Sequence, residues 1–372
     1  VYWRYQIIMN KIEYEEILTF HPGYYVNDII NDMEISQKEF AMRLDTSSKN
    51  ISELVNGQIE LSKEMALKLS SMTGTSLDLW LNLQKTYSGK VLEIEFRKAI
   101  DRQMCVFSQI DFSFFIKLGL LQDTKNKVEN MKNLCSYLKI SDMEILKRHD
   151  MLANYRKGTS AVEEKNVINS NVWLQTALNI GRQIETKEYN ELKLKSYIQK
   201  IRTMTVDDPH AFIPLIKDGL SECGVSFVLL PTLKNSGIYG AVKWINERKV
   251  ILAINDLRKY ADAFWFSLFH EIKHVLQKKI KKVIVNGPDN ILEIDACLEK
   301  EANEFAQNTL IPPLEYENSF IRNRSYITED SIIEFADKIG IHPGIVVGRL
   351  QKDGLVELSH YNGLRVKYEV TC

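Results

Sequence analysis

The sequence predicts an α+β fold that is mainly α, and three observations predict it. Residues 21–90 form a run of short amphipathic helices separated by stop signals. Residues 91–205 stay polar, lysine-rich and helical, with apolar residues at i, i+3 and i+4. Beyond about residue 208 short β-rich runs appear before helices return, which confines a small β-sheet to the C-terminal part. The expected division is an N-terminal extension (1–20), an all-α N-terminal domain (21–90), a central helical region (91–205) and a C-terminal domain (206–372). A chain of 372 residues is long enough for two or three domains.

Each element has a local signal. "SQKE" at Ser36–Glu39 has the form of a capping box, with Ser36 accepting from the third N–H and Glu39 reaching back. Phe40, Ala41 and Leu44 follow at helical spacing. A second short helix carries Ile51, Leu54 and Val55 and stops at Asn56-Gly57. Helices over Ser62–Met72 and Leu77–Tyr87 complete the first domain, and "WLQTALNIGRQIE" from Trp173 exemplifies the central region, read as a structural linker. "GVSFVLLP" (Gly224–Pro231) reads as a strand, and "YGAVKWINERKVILAIN" as a hairpin turning at Asn246-Glu247-Arg248. Helices follow over Phe264–Gln277 and roughly Ile294–Leu310, the second ending at Ile311-Pro312-Pro313. "VELSHYNGLRVKYEV" reads as a last hairpin turning at Asn362-Gly363.

Composition excludes several classes. Net charge is −1, so nothing global draws the chain to nucleic acid or to an anionic membrane, and any DNA contact must be local. The five cysteines are odd in number and widely spaced, with no CxxC, which points to a reduced, cytoplasmic protein. No apolar run approaches a membrane span, so no membrane partner is expected. The chain begins with Val; Met9 could be a natural start, leaving residues 1–8 outside the fold.

The sharpest chemical signal is "FWFSLFHEIKHVLQ", an apolar helix interrupted by His270, Glu271 and His274. Histidines at i and i+4 share a helical face, so both imidazoles can address one ion, while Glu271 leans aside where it can hold a water. A catalytic zinc takes three protein ligands and keeps one position open. The later helix offers several carboxylates. Glu299 is the expected third ligand, with Glu301 the alternative, and Asn303, on the same face as Glu299, is expected to orient a histidine. Tyr239, Tyr260 and His210 are candidate donors to an oxyanion, His342 is expected to start a helix before Pro343, and Cys297 is expected to be buried. A peptide substrate is expected to pair with Val242–Ile245 or Val250–Ile254 as the exposed sheet edge.

With "ExxxNxFA" at Glu299–Ala306, "LIPP", "GIYGAVKW" and "IGIHPGIVVGRLQKDG", residues 208–370 resemble the ImmA/IrrE family of zinc peptidases. The resemblance implies a zincin-like metallopeptidase domain, Zn2+ held by His270, His274 and Glu299, and Glu271 as the base. Lys273 departs from the glycine frequent there and places a charge near the cleft.

Residues 36–57, "SQKEFAMRLDTSSKNISELVNG", have the form of a helix-turn-helix of the Cro/repressor kind. Small Ala41 suits a close helix crossing, and Leu44, Ile51 and Val55 make the little core. Ser47 or Ser48 would cap the second helix. Its face offers Lys49, Asn50, Ser52 and Glu53, and Gln37 opens the helix before it. The DNA-contacting set is therefore Gln37, Ser47, Ser48, Lys49, Asn50 and Ser52. Asp45 stands at the turn where glycine is usual, and acids at least match bases in this segment. With "HPGYYVNDII" and "LSKEMALKLSSMTGTSLDLWLNLQ", residues 20–88 resemble HigA-type antitoxins. That implies a homodimer on operator DNA at its own promoter, acting as repressor and antitoxin. Two functions stay open. One is a regulator whose zinc endopeptidase domain cleaves or senses a protein partner, a repressor or the cognate toxin. The other is a non-enzymatic antitoxin whose zincin fold binds or senses a partner.

Overall fold

A computed structural model describes residues 10–152, 163–255, 260–279, 283–286, 296–322 and 327–368. It divides into two units, Val1–Arg102 and Gln103–Cys372. The expected start near Met9 lies outside the described residues.

The first unit opens with a hairpin, β1 (Lys11–Tyr14) and β2 (Ile17–Phe20), in the register Lys11↔Phe20. This corrects the expected N-terminal extension over residues 10–20, the part of it that lies within the described residues. Ile17 and Thr19 are buried, and the Asn10 side chain donates to the Val55 carbonyl, so residues 10–20 belong to the unit. Five helices follow: α1 (Pro22–Asp32), α2 (Gln37–Arg43), α3 (Ser48–Val55), α4 (Lys63–Thr73) and α5 (Leu77–Phe107), whose last residues, from Gln103, count with the second unit. Ser36, Ser47 and Ser62 cap α2, α3 and α4 through their hydroxyl oxygens. Glu39 does not reach back as expected; its carboxylate pairs with Arg43 at 2.5 Å. Phe40, Ala41, Leu44, Ile51 and Val55 pack with Val26, Leu69 and Trp80 in one core. At Gly23 a β-carbon would lie 1.8 Å from the Leu54 carbonyl oxygen, so α1 crosses the end of α3 only because the residue is glycine.

The second unit is built on a four-stranded sheet: β3 (Val225–Leu230), β4 (Gly240–Asn246), β5 (Lys249–Asn255) and β6 (Val283–Asn286). The order is β3-β5-β4-β6; β3 and β5 run parallel, and the other pairs are antiparallel. Alternation along β5 shows how the sheet is covered. Val250, Leu252 and Ile254 face one core, which holds α9 (Glu191–Thr203), α10 (Pro209–Glu222), α11 (Ala261–Leu276), α12 (Ala296–Leu310), α14 (Glu329–Ile339) and α15 (Pro343–Lys352), with the short α13 (Pro313–Tyr316) beside them. Ile251 and Ala253 face the other core, with α6 (Ser113–Lys117), α7 (Lys127–Leu138) and α8 (Glu164–Gln183). Residues expected to form a linker thus supply one wall of this unit, and the division falls at Arg102/Gln103 rather than near 90 and 205. Buried amides fasten α8 in place: Asn171 donates to the Leu146 and Arg148 carbonyls, each at 3.0 Å.

Two further expectations fail. β5 lies between β3 and β4, so Val250–Ile254 is not an exposed edge, and β6 pairs with β4 over Gly240–Lys243, which covers the first half of Val242–Ile245. Among the described residues the hairpin at Asn362-Gly363 is absent. Instead a 3₁₀ turn spans Asn362–Leu364, and one bridge joins Lys367 to Tyr260. The Gln351 amide donates to the Leu358 and His360 carbonyls, which binds this chain to α15 rather than to a strand partner. No helix among the described residues is long and apolar enough to cross a membrane.

Candidate metal centre

α11 is apolar on nearly every side. Trp265, Leu268, Phe269, Ile272 and Val275 are fully buried, so the polar residues among them face an interior wall. His270 and His274 sit one turn apart with Nε2 atoms 2.9 Å from each other. From the first turn of α12, Glu299 brings Oε2 to 3.2 Å from His270 Nε2 and Oε1 to 3.2 Å from His274 Nε2. Both histidines are almost completely buried, and Glu299 is 15% exposed.

The far sides of the rings decide what the near sides do. Asn303 Oδ1 lies 3.1 Å from His270 Nδ1, and Gln277 Oε1 lies 2.7 Å from His274 Nδ1. Each Nδ1 therefore carries the hydrogen, and both Nε2 lone pairs point at the carboxylate. Two lone pairs and a carboxylate converge with no hydrogen between them, an arrangement that a cation relieves. Around a tetrahedral zinc with ~2.1 Å bonds, ligand atoms stand about 3.4 Å apart. The observed 2.9–3.2 Å separations need only a small expansion. These three residues fit a divalent ion.

Without an ion, protons taken up on the Nε2 atoms fill its place. Burial pushes the Glu299 carboxyl up, but the hydrogen bonds that protonated His270 and His274 then donate outweigh it and lower it from 4.5 to about 2. Burial pushes His274 down, yet the hydrogen bond to Glu299 and the charges of Glu271 and Glu299 raise it overall.

Glu271 is fully buried beside this turn, against β4. A β-carbon on Gly240 would lie 2.3 Å from Glu271 Oε1, so glycine makes the space for the carboxylate. Tyr239, half-buried, immediately precedes Gly240 at the start of β4. Tyr260 is remote from the histidines: it precedes α11, ten residues and ~15 Å of helix from His270, under the Arg365 guanidinium. His210 opens α10, whose Phe212 packs on Phe264 and Trp265 in the early turns of α11. His342 caps α15 by accepting from Gly344 N, as expected. Glu301 turns away from the histidines to Gln277 and Lys273. Cys297, expected to be buried, is exposed. Gln277 escaped notice in the sequence, although it stands three residues after His274 on the same face.

In the first unit, α2 and α3 enclose the turn at Thr46. Asp45 adopts φ +47°, and Lys68 donates to its carbonyl at 2.8 Å. Ser47, Ser48, Lys49 and Asn50 are exposed in one stretch, whereas Gln37 and Ser52 are half-buried. Ser47, not Ser48, caps α3, so its hydroxyl already accepts from Asn50 N. The Helix-turn-helix family profile matches residues 28–80. An uncharacterised HTH-type transcriptional regulator, YddM of Escherichia coli (strain K12), is 36% identical over 67 residues, 18% of this chain and 71% of that protein. The chain belongs to the helix-turn-helix family. The helix-turn-helix unit is also 35% identical over 68 residues to virulence-associated protein A' of Dichelobacter nodosus, covering 59% of it. A crystal structure of a candidate antidote protein of a plasmid maintenance system from Nostoc punctiforme is 30% identical. It covers 23% of this chain and 94% of that one, with a TM-score of 0.23.

Proposed function

We propose that this protein is a DNA-binding regulator of the antitoxin type whose second unit is a zinc-dependent endopeptidase acting on a regulatory protein partner. The convergence of His270, His274 and Glu299 within 3.2 Å, with buried Glu271 beside them, carries the reading. His270 and His274 would hold zinc through Nε2, and Glu299 through its carboxylate. When bound, the ion supplies Lewis acidity toward a water and a peptide carbonyl. The chain's own residues do the rest. Asn303 and Gln277 hold the imidazoles in the tautomer that presents Nε2. Glu271 takes a proton from the water and passes it to the leaving amine. The surrounding apolar wall keeps bulk water out. β6, the outermost strand on this side among the described residues, offers the edge along which an extended peptide pairs.

For the first unit the reading rests on helix-turn-helix membership and on the exposed α3 face. Lys49 and Asn50 face outward there to contact phosphate and base, and Gln37 adds a contact from the start of α2. The HigA-like pattern of residues 20–88 supports autoregulation at the chain's own promoter as a dimer, with a toxin as partner.

Glu271→Gln tests the enzymatic half. It should keep one zinc per chain and lose cleavage of proteins co-expressed from neighbouring genes. Wild-type chain with zinc bound that leaves all of them intact would reduce the second unit to a binding or sensing module. Lys49→Ala and Gln37→Ala test the other half, with weaker binding expected to the chain's own upstream DNA.

A further inference from the structure

We infer that Gln277 is a positioning residue which sets the tautomer of His274 and the placement of Glu299 together, so that the metal centre is assembled before an ion arrives. The inference deepens the zinc reading above and rests on it. Gln277 closes α11, half-buried, at the helix C-cap. Its amide makes three contacts in two directions. Nε2 donates to the Leu298 carbonyl at 3.0 Å and to Glu301 Oε2 at 3.2 Å. Both partners are acceptors, so the NH2 end must lie there and the amide cannot be turned round. That leaves Oε1 facing His274 Nδ1 at 2.7 Å, which requires the hydrogen on Nδ1 and frees Nε2 as a ligand.

The second direction matters as much. Leu298 immediately precedes Glu299, so one side chain ties a histidine of α11 to the backbone that carries the carboxylate on α12. Glu301 is held in turn by Lys273, 3.5 Å away, whose ammonium also lies over the Phe305 ring. Lys273, the departure from the glycine frequent in the resembling family, thus steadies the strut from outside. The acceptor on each histidine is a neutral amide, so the rings are oriented without adding negative charge to the centre.

The test uses the full chain and Zn2+ alone, with affinity read by chelator competition and ligand geometry by the visible spectrum of the Co2+-substituted protein. Gln277→Leu loses both directions. It should bind zinc ~10–100-fold more weakly, the range for an outer partner, with an altered Co2+ spectrum. Gln277→Glu keeps the acceptor for His274 but not the donor to Leu298. It should retain the wild-type spectrum and fall between the two in affinity. Gln277→Leu binding within twofold of wild type with an unchanged spectrum overturns the inference and leaves the zinc reading standing. Equal spectral change in both variants removes the tautomer half. If Gln277→Leu does not fold, an unchanged affinity in Gln277→Glu overturns the strut. A wild-type chain that takes up no zinc defeats the zinc reading itself.

Discussion

The face of α3 and the junction of α11 with α12 are opposite solutions to the problem of presenting polar groups. On α3 the candidate residues Ser48, Lys49 and Asn50 are consecutive in sequence, exposed, and supported by a small core directly beneath them. At the junction the candidate residues come from two helices, are largely buried, and are held in place by the Asn303 and Gln277 amides on the outer sides of the rings. The first arrangement tolerates change one residue at a time. The second does not, because removing any member strands its neighbours in an apolar wall.

Loss of a ligand should therefore separate the two regions most sharply. Glu299→Ala should lower zinc affinity by more than the ~100-fold upper limit seen for outer partners, measured by chelator competition, while binding to the upstream DNA stays unchanged. Loss of both activities together would mean that the two regions are not independent. Next comes Gly240→Ala. Buried Glu271 has nowhere to withdraw, so the added methyl should destabilise the second unit by about 1–3 kcal/mol in denaturant unfolding. An unchanged midpoint would show that the carboxylate is mobile.

A smaller effect belongs to the first unit. His21 caps α1 by accepting from Gly23 N through Nδ1, and its ring meets Tyr87 edge-on. Burial pushes its pKa below the usual 6.5, ahead of the opposing pull of the Ile59 backbone and Glu60. The unfolded chain thus binds the proton first. The cap's contribution is full above pH ~6.5 and is lost as pH falls below it. His21→Asn, which caps without titrating there, should flatten this part of the stability–pH curve; an identical curve would remove His21 as its source. The smallest expected change is Asp45→Gly. Left-handed backbone costs L-residues roughly 1–2 kcal/mol, and the Lys68 hydrogen bond goes to a carbonyl that glycine keeps. The melting temperature of the first unit should rise by about 4 °C; a fall would show that the Asp45 carboxylate outweighs the strain.

What could be read in the sequence divides along the same line. The helices around α3 were legible because caps, spacing and stops are local. Asp45 was legible because a departure from glycine at a turn has a conformational meaning, and the left-handed φ is what the structure has. His270 and His274 stood out as polar residues on an apolar helix, and the structure brings Glu299 and Asn303 to them. Gln277 did not stand out, since an amide at a helix end is ordinary until its three partners are in place. The strand at Val283–Asn286 was missed for its brevity, and that omission misplaced the sheet edge. Asn362-Gly363 misled because a turn dipeptide says nothing about what lies beside it: Tyr361, not the glycine, takes the positive φ.

The two-sided covering of β5 decides where this chain can be divided. A gene fragment starting at residue 206 would encode a sheet with one bare greasy side, from Val228 to Val285, and should collect in inclusion bodies. A fragment starting near residue 103 carries its own cover, and should be the shorter piece of this gene that a cell makes in usable form.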